Sequence, residues 1–215
     1  MLNKLLLIIS VILILFSYMR IILMYLKTKN IKLDDMTGFD LAKELTSNYD
    51  EINIVESREV SISKYNLKRR IIKLNYKDYT MNNIFTLTKS SLLTGYSLIA
   101  LNKDKNIEIL SKIFNNIDYL NKSSIVTILI SCLVKAKGDA KIALILLSLI
   151  LIYQYLINEI NINSKEQTKE QLKDLLEEKN YLLLETIQNS YLNLNKISFI
   201  TTLILILRLV LIIIN

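Results

Sequence analysis

Hydrophobic residues in this chain gather into long unbroken runs, with charged stretches between them. The longest run, Leu5 to Leu26, covers 22 residues, about 33 Å as an α-helix and enough to cross a hydrocarbon layer of roughly 30 Å. It predicts a transmembrane anchor over residues 1–26. Arg20 interrupts the run within two turns of Lys27, close enough to the interface for its guanidinium to snorkel outward. The residues after Phe16, Ser17-Tyr18-Met19-Arg20, lack an Ala-x-Ala-like cleavage pattern, so the anchor is expected to stay uncleaved. Ile142 to Ile157 and Ile197 to Ile214, the latter containing Arg208, predict two further spans. Ile125 to Val134, with ten residues, reaches only about 15 Å and is too short alone. Extended back to Ile113 it takes in Asp118 and Lys122, an i,i+4 pair that neutralises itself at the interface. A re-entrant helix is the fallback for 113–134.

Shorter periods fill the stretches between the spans. Thr37-Gly38-Phe39-Asp40 forms a capping box that opens a helix through about Asn48, with Leu41 and Leu45 on its buried face. Glu51 to Glu56, Glu59 to Ser63 and Arg70 to Tyr76 alternate apolar with polar residues and predict a small sheet. From Ile84 to Leu101 the period lengthens, and Phe85, Leu92, Tyr96 and Ile99 fall on one helical stripe. Ser164 with Gln167 predicts another helix start, running to about Asn189. Leu172, Leu175, Leu176, Leu183 and Ile187 form its apolar stripe, and Glu166/Lys169 and Glu170/Lys173 pair on its wet side. The expected organisation is an anchor (1–26), a soluble portion (27–112), a membrane hairpin (113–157), a soluble helix (158–196) and a C-terminal transmembrane helix (197–215). The fold class is an α+β membrane protein, mostly helical, with about four transmembrane segments and a small cytoplasmic α/β portion.

Charge assigns the sides. Residues 27–124 and 158–196 carry sixteen and five Lys/Arg, against four (Lys4, Lys135, Lys137, Lys141) on the opposite side. The positive-inside rule then makes the large soluble portion cytoplasmic. Lys68, Arg69, Arg70 and Lys73 are the densest basic cluster, suited to lipid head groups. The cluster is too short and too mixed with acidic residues for nucleic-acid binding. The single cysteine, Cys132, sits in an apolar run, so neither a disulfide framework nor a cysteine-rich metal site is expected, and the thiol is read as packed. Histidine is absent altogether, which removes the commonest zinc ligand and the usual proton carrier near neutral pH.

Against this background the order of features resembles the YugP-like neutral zinc metallopeptidases, membrane-anchored bacterial proteins with a His-Glu-x-x-His helix between transmembrane spans. Thr37-Gly38-Phe39-Asp40-Leu41-Ala42-Lys43 is similar to the family's Thr-Gly-x-Glu-Val-Ala-Arg. Lys64-Tyr65-Asn66-Leu67-Lys68-Arg69-Arg70 through Asn75 is similar to its His-Tyr-Asp-Pro-basic run, without the proline, and Tyr79 and Asn83 lead into the zinc helix. In that register the zinc motif falls on Leu92-Leu93-Thr94-Gly95-Tyr96, where only the glycine is kept. The resemblance implies zinc ligands at Leu92 and Tyr96 and a base at Leu93, and leucine can do neither job. It also implies a third ligand at Glu159, within Asn158-Glu159-Ile160-Asn161.

The implied protein is a catalytically inactive relative of a zinc protease: a non-enzyme without zinc or any other cofactor. Its partners would be the lipid bilayer and a peptide, a membrane protein or an active paralogue. Such a scaffold brings Glu159 close to Leu92 and Tyr96. The alternative is a small structural or channel-like membrane protein unrelated to proteases. Lys89, Ser90 and Ser91 do not make a serine–lysine dyad, because adjacent residues on a helix point apart.

Overall fold

The structure, a computed structural model, describes residues 2–33, 36–57, 63–66, 69–101, 119–134 and 136–214, with backbone alone for 119–123. It is mostly helical, with one small sheet. Helix α1 (Leu2–Thr28) contains the expected anchor. Helix α2 (Gly38–Leu45) opens on the expected capping box, in which the Asp40 amide donates to the Thr37 hydroxyl (3.2 Å) and the Thr37 amide donates to the Asp40 carboxylate (2.9 Å). It stops short of Asn48 because the Thr46 amide and hydroxyl both fold back on the Ala42 carbonyl.

Three strands follow, β1 (Asn53–Ser57), β2 (Lys64–Asn66) and β3 (Ile71–Asn75), in the order β1-β3-β2, with β1 parallel and β2 antiparallel to the central β3. Alternation turns Ile72 and Leu74 fully inward beside Tyr65. The strand expected at 59–63 falls mostly outside the described residues. Strand β3 ends before Tyr76 because the Asn75 side chain accepts from the Asp78 amide (2.9 Å) and caps the short helix α3 (Tyr76–Thr80).

Helix α4 (Ile84–Leu101) has the expected bounds. It is buried on nearly every side, however, rather than along one stripe. Thr88, Ser91, Thr94 and Ser97 have no exposure, and their hydroxyls donate to carbonyls three or four residues back. Packed against α2 and the sheet, α4 is the central core helix of its unit.

Helix α5 (Tyr119–Leu133) holds the short apolar run, and its expected extension to Ile113 lies outside the described residues. Helices α6 (Lys137–Leu175) and α7 (Glu178–Ile214) are long and continuous. The helix start expected at Ser164 does not exist. Its hydroxyl donates to the Ile160 carbonyl (2.8 Å) in the middle of α6. The chain turns instead at Leu176 and Glu177, where the Glu177 carbonyl accepts from the Tyr181 amide (2.9 Å). Segment 158–196 is therefore the end of one helix and the start of the next. Four helices, α1, α4, α6 and α7, are long and apolar enough to cross a membrane, and the apolar part of α5 is shorter.

The chain divides into two compact units, with the divisions falling inside α1, α6 and α7. A bundle unit comprises Met1–Ile21, Asp118–Asn158 and Tyr191–Asn215. Its α6–α7 seam packs Ala140, Ala143 and Leu147 against Leu205 and Leu209, the small residues allowing close approach. A mixed unit comprises Ile22–Ile117 and Glu159–Ser190. Its core is Leu41, Leu45, Ile72, Leu74, Ile84, Leu87, Leu98, Leu172, Leu184 and Ile187, all essentially without exposure.

The polarity of the bundle unit is inverted. Its buried positions include Ser10, Ser17, Ser124, Thr127, Ser131, Ser198, Thr201 and Thr202, while Ile12, Leu15, Phe16, Ile142, Ile145, Leu149 and Leu207 face outward. On α1 the buried Ser10, Ile14 and Ser17 recur at helical spacing, and between Lys4 and Arg20 the exposed positions, Leu5, Ile8, Ile9, Ile12, Leu15, Phe16 and Met19, are all apolar. Water selects the opposite arrangement.

Candidate functional site

Helix α4 carries residues 92–96, which the resemblance aligned with a zinc motif. Gly95 sits directly against the backbone of α6. A Cβ there would lie 2.1 Å from the Ser164 carbonyl oxygen and 2.8 Å from its carbon. Only a hydrogen at that position lets α4 and α6 approach this closely. One residue on, buried Tyr96 meets Tyr65 of β2 edge-on, with ring centroids 6.0 Å apart. Leu93 is buried and Leu92 half-buried. Above them the Gln188 amide donates to the Ser91 hydroxyl (3.1 Å), which itself donates to the Thr88 carbonyl, so α7 is tied to α4 by a buried polar bond.

Helix α6 turns Ile160 and Ser164 inward and leaves Glu159 exposed, more than a turn from the Gly95 contact. The structure thus joins Gly95 and Tyr96 to Ser164 and Tyr65, while Glu159 stands on the outer side of its helix. Burial, and then the neighbouring Tyr65 phenol, push the Tyr96 hydroxyl up to about 12, and burial also raises Tyr65. Both phenols are neutral near pH 7. Leucine offers no donor atom and a neutral phenol is a poor one, so the motif positions do not fit a zinc ion. Among the described residues no cluster of His, Cys, Asp or Glu is arranged to hold a metal.

The remaining expected residues are spread out. Lys68 lies outside the described residues. Arg69 and Arg70 are exposed in the turn before β3, where Arg70 takes a left-handed φ of 52° and pairs with Glu51. Lys73 is half-buried on β3 opposite Lys64. Lys89 lies over the Phe85 ring, 5.5 Å from its centroid, away from Ser91. Cys132 is exposed, not packed, because α5 turns its neighbour Ser131 inward.

Two constellations were not singled out from the sequence. Buried Asp78 gathers the loop ends, accepting from the Ser63 hydroxyl (2.6 Å) and the Asn75 amide (2.8 Å), and its own carbonyl blocks any Cβ at Gly38. In the bundle unit, buried Arg208 donates from Nη1 to the Ser131 carbonyl and hydroxyl (both 2.6 Å) and from Nε to the Asn3 carbonyl (3.2 Å). The second was signalled by Ser124, Thr127 and Ser131, spaced three and four apart in an otherwise apolar run. Comparison with protein-family models, with curated proteins and with solved structures finds no match.

Proposed function

We propose that the chain is a multi-pass integral membrane protein of a bacterial plasma membrane, with its mixed unit in the cytoplasm serving as a non-catalytic, protease-like binding scaffold. One observation carries the reading: the bundle unit hides hydroxyls and exposes hydrocarbon, with Leu15, Phe16, Ile142 and Leu149 all more than 60% exposed while Ser10, Ser131 and Thr201 have no exposure. A lipid environment makes that arrangement stable, since hydrocarbon faces acyl chains and these serine and threonine hydroxyls stay inside. In the mixed unit, positions 92–96 serve packing: leucines, a glycine at helix contact and a phenol that holds its proton through the physiological range. The excess of Lys and Arg in 27–124 and 158–196 supports a cytoplasmic location. A peptide, a membrane protein or an active paralogue is the class of partner such a scaffold takes.

The reading is tested with single cysteines in a Cys132→Ser background. Leu149→Cys should resist a water-borne maleimide in intact membranes, Lys73→Cys should react from the cytoplasmic side, and the protein should survive alkaline washing. Release by alkali, or equal reactivity of Leu149→Cys, overturns membrane embedding. Chelator-sensitive cleavage of an unfolded substrate by pure protein overturns the non-catalytic part. The structural or channel-like alternative is favoured by the polar interior around Arg208. A crosslink between Glu159 and Tyr96 would count against it.

A further inference from the structure

The interior of the bundle unit holds a full positive charge, fixed in place by neutral acceptors and with no carboxylate partner among the described residues. Arg208, 9% exposed, lies on α7 about 9 Å of helix rise before Ile214. Its acceptors, the Ser131 carbonyl, the Ser131 hydroxyl and the Asn3 carbonyl, are all neutral oxygens from two other helices. Among the described residues Nη2 makes no hydrogen bond, and no carboxylate pairs with the guanidinium. Two turns back, on the same face of α7, the Thr201 hydroxyl is fully buried and has no partner among the described residues.

A guanidinium in apolar surroundings is costly unless an anion accompanies it. Acceptors on α1 and α5 use Nε and Nη1 and hold the planar group rigid, leaving Nη2 to an outside ligand. Its partners place it at the polar ends of α1 and α5, since Asn3 adjoins Lys4 and Ser131 lies two residues before α5 ends and shortly before Lys137, the level at which phospholipid phosphates border the hydrocarbon layer. Exposed Leu207 beside it supplies surface for an acyl chain. Given the membrane-embedded reading above, on which this rests, we infer that Arg208 binds the phosphate of an anionic phospholipid through Nη2. Arginine suits this role because its planar N–H donors match phosphate oxygens and it stays charged at any physiological pH.

The test uses the full chain, delipidated in neutral detergent and incubated with phosphatidylglycerol, phosphatidylcholine or inorganic phosphate, with bound lipid counted by native mass spectrometry. Phosphatidylglycerol should be retained in preference to phosphatidylcholine. Arg208→Gln should weaken its retention about tenfold to a hundredfold, the usual weight of a charge-assisted hydrogen bond. Arg208→Lys should lose part of it, keeping the charge without the planar geometry. Lys4→Gln should change nothing. Equal retention by wild type and Arg208→Gln overturns the inference, as does displacement of the lipid by inorganic phosphate at equal concentration. Should Arg208→Gln lose the wild-type near-ultraviolet circular dichroism, Arg208→Lys decides, and undiminished retention by it overturns the site. Protection of Leu149→Cys from maleimide together with unchanged lipid retention sinks this site alone. Loss of that protection sinks the membrane reading beneath it.

Discussion

Replacing Gly95 by alanine adds one methyl group to the helix contact at the centre of the mixed unit. The new Cβ would stand 2.1 Å from the Ser164 carbonyl oxygen, so α6 must retreat by roughly 1.3 Å to restore contact at 3.4 Å. A gap of that size forfeits much of the dispersion energy along the seam, and overpacking of this kind costs about 1–3 kcal/mol. Alanine's better helix propensity returns about 1 kcal/mol, leaving a net loss of up to about 2 kcal/mol. Gly138 provides the control. Nothing lies within 4 Å of a Cβ there, so Gly138→Ala should be neutral or gain up to about 1 kcal/mol. Truncating Ser164 to alanine should not rescue Gly95→Ala, because the obstructing atoms belong to the Ser164 backbone. Denaturant unfolding in detergent, followed by tyrosine circular dichroism, reads all three variants. A stability of Gly95→Ala equal to or above that of Gly138→Ala would refute the account of the α4–α6 contact.

Thr37→Ala removes the hydroxyl that accepts from the Asp40 amide and should destabilise the mixed unit by about 1 kcal/mol in the same assay. Alkaline pH should destabilise it as well. An unfolded phenol ionises near 10, whereas Tyr96 keeps its proton up to about 12, so the folded state binds more protons between those values and stability falls as pH rises through them. The stability is fully present below pH 10, and the loss approaches about 3 kcal/mol by the upper end. Tyr96→Phe should flatten that part of the profile, and an unchanged alkaline slope would contradict the assignment.

Local signals were legible wherever one residue's chemistry dictates one local bond. Thr37 and Asp40 announced α2, and the lengthened hydrophobic period over Ile84 to Leu101 gave the bounds of α4. Ser164 and Gln167 carry the same signal as Thr37 and Asp40, yet no helix begins there, because the helix is already under way and the serine hydroxyl bonds backward to Ile160. A capping box satisfies amides only where no preceding turn has already done so. For α4 the sequence pattern picks out a single stripe, Phe85, Leu92, Tyr96 and Ile99. The threonines and serines opposite the stripe are buried too, since hydroxyls that bond their own helix can enter a core at little cost. At residues 92–96 the resemblance put leucine and tyrosine in place of ligands and gave no sign that Gly95 is a contact point. That depends on α6, far along the chain. Arg208 stood out only as an interruption in a hydrophobic run, because its acceptors on α1 and α5 lie in segments distant in sequence.

The hydroxyls inside the bundle unit have a consequence for biogenesis. Ser10 donates to the Leu6 carbonyl, Ser17 to Leu13, Ser148 to Leu144 and Thr202 to Ser198, each within its own helix. A segment leaving the insertion machinery carries these bonds with it and leaves those groups unexposed to lipid. Each hydrophobic segment can therefore partition singly, with lateral assembly following later, whereas the hydrogen bonds of the Arg208 guanidinium, whose acceptors lie on α1 and α5, have to wait for those helices to arrive.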